Sequence, residues 1–190
     1  PYALPRAAIA VGADYIDLAD AAAFVDGIGA LDDAARGAGR TVLSGASSFP
    51  VLTAAVVRHL TRAMTRVDRI EAGIAPSPYA GVGLNVIRAI ASYAGKPVRI
   101  MENGARIGRP GFVDSRRMTI AVPGTVPLPP FWFGLAQVPD LETLAKDWPA
   151  ARDIWMGAGP TPAALHRLLW AAGQLVHWRV LPSLAPLAPL

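Results

Sequence analysis

Cysteine is absent from the 190 residues, which excludes disulfides, thiolate metal sites and a thiol nucleophile. Lysine is nearly absent: Lys96 and Lys146 are the two, so arginine carries almost all the positive charge. Charged residues make up 17% of the chain against 53% hydrophobic, which excludes a disordered polypeptide and leaves enough apolar side chain for a core. The 18 basic residues outnumber the 14 acidic ones, but they are scattered, and Arg116-Arg117 is the one adjacent pair. A nucleic-acid footprint needs a clustered patch, so no nucleic-acid partner is expected. No stretch reaches the ~20 mostly apolar residues of a membrane span. The most apolar C-terminal stretch is broken by His166, Arg167, Gln174, His177 and Arg179. A basic leader with an apolar core is missing at Pro1, so no signal peptide is read and a cytoplasmic location is expected. The apolar tail Leu184–Leu190 has no helix stop, and both ends read as cut from a longer chain. Metal chemistry finds no support either. His166 and His177 share a helix face but stand about 16 Å apart, His59 lies on another helix, and no H-E-x-x-H occurs. Each histidine reads as a surface or hydrogen-bonded side chain.

What is present alternates. Residues 3–11 predict a helix closed by Gly12, and Tyr15–Leu18 a short apolar strand. Asp20 can cap a helix over 21–36, and Thr41–Leu43 form a second β-branched strand. Apolar strands alternating with helices predict a parallel sheet, here the last βαβ portion of a doubly wound domain. A Ser/Gly loop, Ser44–Phe49, leads to a helix starting at Pro50. Beyond it, Val67–Ile74 predict a strand and residues 80–94 a helix. The run Val98–Glu102, Asn103-Gly104, Ala105–Ile107 predicts a hairpin, because Asn-Gly supplies both positive-φ turn positions. Met118–Val122 predict a further strand, residues 123–134 an ordered Pro/aromatic loop, and Ile154–Met156 a last strand. Asp140 is placed as the cap of a helix to Asp147. A final helix over 161–180 carries a stripe of Leu165, Leu168, Leu169, Ala172, Leu175 and Val176, expected to face the core or a domain interface. No internal repeat is found.

The segment Gly12-Ala13-Asp14-Tyr15-Ile16-Asp17-Leu18 with its neighbours Ala10 to Asp20 resembles the AGxxYxDLxx element of saccharopine dehydrogenase-like oxidoreductases. Thr41 to Pro50 resembles that family's next strand and its glycine–serine loop. Ile70–Ile74, Val86–Tyr93, Trp132-Phe133-Gly134 and Val138–Leu141 resemble its following domain, in the same order. The resemblance implies an α/β fold: the C-terminal part of a Rossmann-like parallel sheet, then an α+β substrate or dimerisation domain with a mostly antiparallel sheet. The expected boundaries are 1–48 for the dinucleotide-binding remnant, 49–66 for a connecting helix and 67–190 for the second domain, incomplete at its C-terminus. It implies NAD or NADP as hydride carrier, an unidentified small-molecule substrate, and a possible homodimer. The family's G-x-G-x-x-G loop, which anchors the pyrophosphate at a helix N-terminus, is lacking, so the chain reads as an internal fragment that is inactive alone.

Asp17 and Leu18 end one strand, and Ser44, Gly45 and Ser47 follow the next; ligands bind at the carboxyl ends of such strands. These five are the expected cofactor contacts. Alternatively Asp17 caps a loop, and Ser47 or Ser48 caps the following helix. Gly81-Val82-Gly83-Leu84-Asn85-Val86 looks like a dinucleotide loop but lacks the last small residue, and reads as a glycine-rich helix entry. Gly45–Phe49 breaks the G-x-S-x-G pattern at its final position, so no serine nucleophile is expected. Glu71 reads as an edge or solvated carboxylate rather than an acid/base group, and the aromatics Phe131, Trp132, Phe133, Trp148 and Trp155 as core rather than a pocket lining. No catalytic residue is assigned. The competing reading is a non-catalytic α+β module for binding or dimerisation.

Overall fold

The computed structural model describes residues 1–76, 83–121, 124–127, 130–160 and 162–188. The chain divides into two compact units, one of Pro1–Ile70 with Val138–Ala151, the other of Glu71–Gln137 with Arg152–Leu190.

In the first unit, α1 (Ala3–Ala10) ends at Gly12, whose φ of +73° closes the turn. The strands β1 (Tyr15–Ile16) and β2 (Val42–Leu43) pair in parallel, Tyr15 beside Val42 and Ile16 beside Leu43. The single helix expected over 21–36 is instead α2 (Ala22–Gly27), a 3-10 turn (Ile28–Leu31) and α3 (Asp32–Gly37). Gly27 and Gly29 weaken the helix here, and the break lets Val25, Leu31 and Ala35 all turn inward. Asp20 does not cap it: the N-cap is Ala21, and no side chain bonds there. The helix expected from Pro50 starts later, as α4 (Thr53–Thr61). Phe49 is extended (φ −113°, ψ 122°), as residues before proline prefer, and residues 48–52 form an irregular wide turn. Its buried positions are Thr53 and Val57, while Val51 and Leu60 face out. The returning segment supplies α6 (Asp140–Asp147), which packs on α2 and α4 and buries Leu141 and Leu144. Two exposed pairs, Lys146–Asp26 and Arg58–Asp147 (3.3 Å), tie its rim.

The second unit is built on a six-stranded, mostly antiparallel sheet. Its members are β3 (Arg69–Ile74), β4 (Pro97–Glu102), β5 (Ala105–Pro110), β6 (Ser115–Met118), β7 (Phe131–Leu135) and β8 (Asp153–Ala158). The order is β5-β4-β8-β7-β6, with β3 also pairing β8. The Asn-Gly hairpin forms as expected, with φ of +53° at Asn103 and +80° at Gly104, and Glu102 opposite Ala105. β6 lies earlier than the apolar run Met118–Val122, part of which is outside the described residues. The strand is set by pairing with β7, Arg116 opposite Phe133 and Met118 opposite Phe131, rather than by local apolarity. The aromatic run expected in a loop is β7 itself: Phe131 and Phe133 point the same way and stack with centroids 4.8 Å apart, the period-2 pattern of a strand.

Two helices complete the unit, α5 (Leu84–Tyr93) and α7 (Ala163–His177). Of the Gly81–Val86 motif, Gly81 and Val82 lie outside the described residues, and Leu84–Val86 open α5. Of the stripe on the last helix, Val176 is buried and Leu169 and Ala172 half-buried, while Leu165, Leu168 and Leu175 are exposed; α7 buries His166 and Gly173 instead. Gly173 lets α7 approach the Gly95 backbone closely, which fixes that rotation. The core gathers Tyr93, Val98, Ile100, Phe112, Leu135 and Trp155.

Candidate functional site

Parallel pairing of β1 and β2 brings their carboxyl ends side by side, and the residues after each strand meet there. Tyr15 N–H donates to Thr41 O (2.9 Å) and Asp17 N–H to Leu43 O (3.0 Å), so the ladder runs out at Asp17. Its carboxylate then takes over. Oδ1 accepts from Ser44 Oγ (2.8 Å), Gly45 N–H (2.9 Å) and Ala19 N–H (2.9 Å), and Oδ2 is 3.0 Å from Ser44 Oγ. Ala46 N–H returns a bond to Asp17 O (2.8 Å). One side chain thus binds both loops into a single edge.

Burial on its own would raise the Asp17 pKa. The donors on Gly45, Ala19 and Ser44, with the Tyr15 phenol, outweigh it and hold the carboxyl below its ordinary 3.8. The same contact works in reverse on Tyr15, whose pKa is raised first by its bond to Asp17, then by burial and the Asp17 charge. A side chain at Gly45 would be strained by its φ of +76° and tight, with a Cβ 3.1 Å from both Pro50 Cδ and Val25 Cγ1.

Of the five residues expected at the cofactor, Asp17, Ser44 and Gly45 are therefore in direct contact. Ser47 is half-buried in the same loop, donates N–H to Gly45 O (2.7 Å), and makes no side-chain cap for the turn that follows. Leu18 stands out into solvent, 72% exposed. Of the two readings of Asp17, the hydrogen bonds show the loop tie, made at the carboxyl ends of the two parallel strands. A shallow pocket of about 380 Å³ (Ile28, Asp32, Arg40, Thr41, Val42) lies at the opposite, amino end of β2, where open α/β sheets do not bind ligands.

Asp17→Ala is expected to lower the stability of the first unit by about 2 kcal/mol, because three donors lose a charged acceptor. The folded-state pKa is depressed, so this contribution is complete above pH 3.8 and lost as pH falls through the lower folded value. Urea unfolding of both proteins at pH 7 and at pH 3 checks it; an equal gap at both would refute the assignment to the carboxylate.

The second unit carries a separate charged cluster that local reading missed. Arg116 pairs with Glu71 and lies 4.7 Å over the Trp155 ring, while Trp155 Nε1 donates to Asp114 (3.3 Å). Nearby, Arg109 grips Glu102 with two nitrogens (2.9 and 2.5 Å). Its bond and charge lower the Glu102 pKa despite some burial, with Arg116 adding to the effect. Glu71 is thus ion-paired rather than a free acid/base group. Trp155 is buried as expected of a core aromatic, and Trp132 is not, being 45% exposed. His166 is neither on the surface nor hydrogen-bonded: it is buried against the Trp132 ring, Nδ1 has no partner among the described residues, and burial lowers its pKa. No group of three metal-ligating side chains is found among the described residues.

The fold is similar to part of a solved structure, apo histidine-tagged saccharopine dehydrogenase (L-Glu forming) from Saccharomyces cerevisiae. The match has a TM-score of 0.53 at 14% identity and covers 84% of this chain and 38% of that one. The chain shares its fold with part of a dehydrogenase. It spans well under half of that enzyme's length. No protein-family model and no curated protein matches the chain.

Proposed function

We propose that this chain forms the closing edge of a dinucleotide-binding sheet and the substrate domain of an NAD(P)-dependent oxidoreductase. The observation that carries the reading is the Asp17 tie, an ionised carboxylate joining two loops at the carboxyl ends of parallel strands. In this reading Asp17 is a positioning residue, and Leu18, Ser44, Gly45 and Ser47 present the surface met by the cofactor. The cofactor supplies hydride transfer when bound; the protein's part is to hold the Ser44–Ser47 loop rigid and to exclude water around it.

Two further facts support the reading. Parallel sheets are normally covered on both faces, yet Ile16 and Leu43 of this pair are exposed. The intact protein is accordingly proposed to cover this pair with further elements, the G-x-G-x-x-G turn that this sequence lacks among them. The likeness to a dehydrogenase fold favours this over a non-catalytic binding module.

The test is titration of the chain with NADPH and NADH while following backbone amide NMR signals. The expected result is affinity of millimolar order or weaker, since the main phosphate anchor is missing, with shifts confined to Ala19 and Ser44–Ser47. Shifts centred on Arg40 and Thr41, or submillimolar affinity, would overturn it.

A further inference from the structure

The outward face of α7 has the composition of a surface that meets anionic lipid. Leu168, Ala171, Leu175 and Trp178 recur at steps of three and four residues, so they fall on one side of the helix. All four are exposed, Leu168 at 66% and Trp178 at 64%. Trp170 flanks them, and Val180 continues the patch beyond the helix. The opposite side, His166, Gly173 and Val176, already packs inward. Helical rotation therefore leaves this stripe no partner among the described residues.

Charge selects the occupant. The last 37 residues, 154–190, contain no Asp or Glu, and Arg167, His177 and Arg179 lie exposed on α7 and just after it. The second unit holds ten Lys and Arg against four Asp and Glu, a net +6. All four acids are engaged elsewhere, Glu71 by Arg116, Glu102 by Arg109, Asp114 by Trp155 and Asp153 by the Asn103 N–H. A second copy packed antiparallel on this face would set Arg167 against Arg179 with no acid between them. An anionic bilayer surface relieves that repulsion, accepts leucine into the acyl boundary and seats tryptophan at headgroup level. No helix among the described residues is long and apolar enough to cross a membrane, so the association would lie in the surface plane.

We propose that the Leu168–Trp178 face of α7 docks peripherally on a membrane surface rich in anionic phospholipid. The proposal holds whether or not the chain binds a dinucleotide.

The experiment is flotation of the whole chain with vesicles of about 30% phosphatidylserine in phosphatidylcholine, and with phosphatidylcholine alone, reading tryptophan emission in parallel. Expected are co-flotation and a blue shift with the anionic vesicles only, weakening as salt rises. Arg167→Gln should reduce partitioning about fivefold. The pair Leu168→Gln and Trp178→Gln should abolish it while circular dichroism is unchanged, since both side chains are exposed. Absence of flotation, equal binding to neutral vesicles, or wild-type partitioning in the Gln pair would each overturn the proposal. So would a stable dimer in sedimentation that the Gln pair dissociates, which would assign the face to self-association.

Discussion

Gly95→Ala is expected to destabilise the second unit by about 2–5 kcal/mol, the larger share from crowding. Gly95 sits between α5 and β4 with φ at +77°, and its N–H donates to Gly111 O (2.8 Å). A methyl group there would strike the Gly173 carbonyl oxygen and come within 2.7 Å of Val176 Cβ and 3.0 Å of His177 N. Those atoms are α7 backbone and a β-branched core side chain, so no rotamer change can yield. Overpacking of this kind costs about 1–3 kcal/mol, and a non-glycine residue at positive φ about 1–2 more. Gly12→Ala is the control: φ is +73° there with nothing within 4 Å of a new Cβ, so a loss of about 1 kcal/mol is expected. Thermal unfolding of both variants separates the two effects; equal losses would show that α7 is not seated against Gly95.

The second large effect is a pH slope set by Asp140. Its side chain is fully buried, and neither oxygen has a hydrogen-bond partner among the described residues. The nearby Thr53 hydroxyl bonds to Ser48 O (3.2 Å). Burial pushes the Asp140 pKa up to about 6, opposed by Thr53 and by its own N–H. A raised carboxyl pKa means the folded state holds a proton that the unfolded chain releases near 3.8. The first unit should therefore be most stable below pH 3.8 with respect to this group. It should lose about 3 kcal/mol as pH climbs to 6, then level off. Asp140→Asn should erase that slope, so that it gains on wild type by about 3 kcal/mol between pH 4 and pH 7.5. Parallel urea curves at the two pH values would disprove a protonated Asp140. Asp17 acts in the opposite direction and at lower pH, so the two groups are separable.

These two residues show where sequence reading stopped. The position of Asp17 was legible, because two apolar strands separated by a helical stretch imply parallel pairing, and parallel pairing brings residues 27 apart to one edge. The Asn103-Gly104 turn was legible because its geometry is local. Asp140 was read as a helix cap, the usual fate of an Asp before an apolar run, but the helix's N-cap is Pro139, and the carboxyl is enclosed beside the 48–53 turn. Nothing near residue 140 in sequence encodes that enclosure. β7 was missed because prolines before it looked like a loop, although Phe131 and Phe133 alternate with Trp132 in strand period. The buried side of α7 was legible only at Val176, because small residues, Gly173 and Gly95, set the contact rather than the leucines.

The first unit's chain path carries a consequence for its birth. Its first seventy residues lack α6, and the pairs that α6 brings join residues as far as 120 positions apart, Lys146 with Asp26. On a ribosome adding about 5–20 residues per second, residues 1–70 would wait roughly 4–15 s for Leu141 and Leu144 to arrive. During that interval the surface of α2 and α4 that α6 covers in the finished unit stays open, the condition in which nascent chains recruit holdase chaperones. The second unit, interrupting the first, would be synthesised largely inside that waiting time.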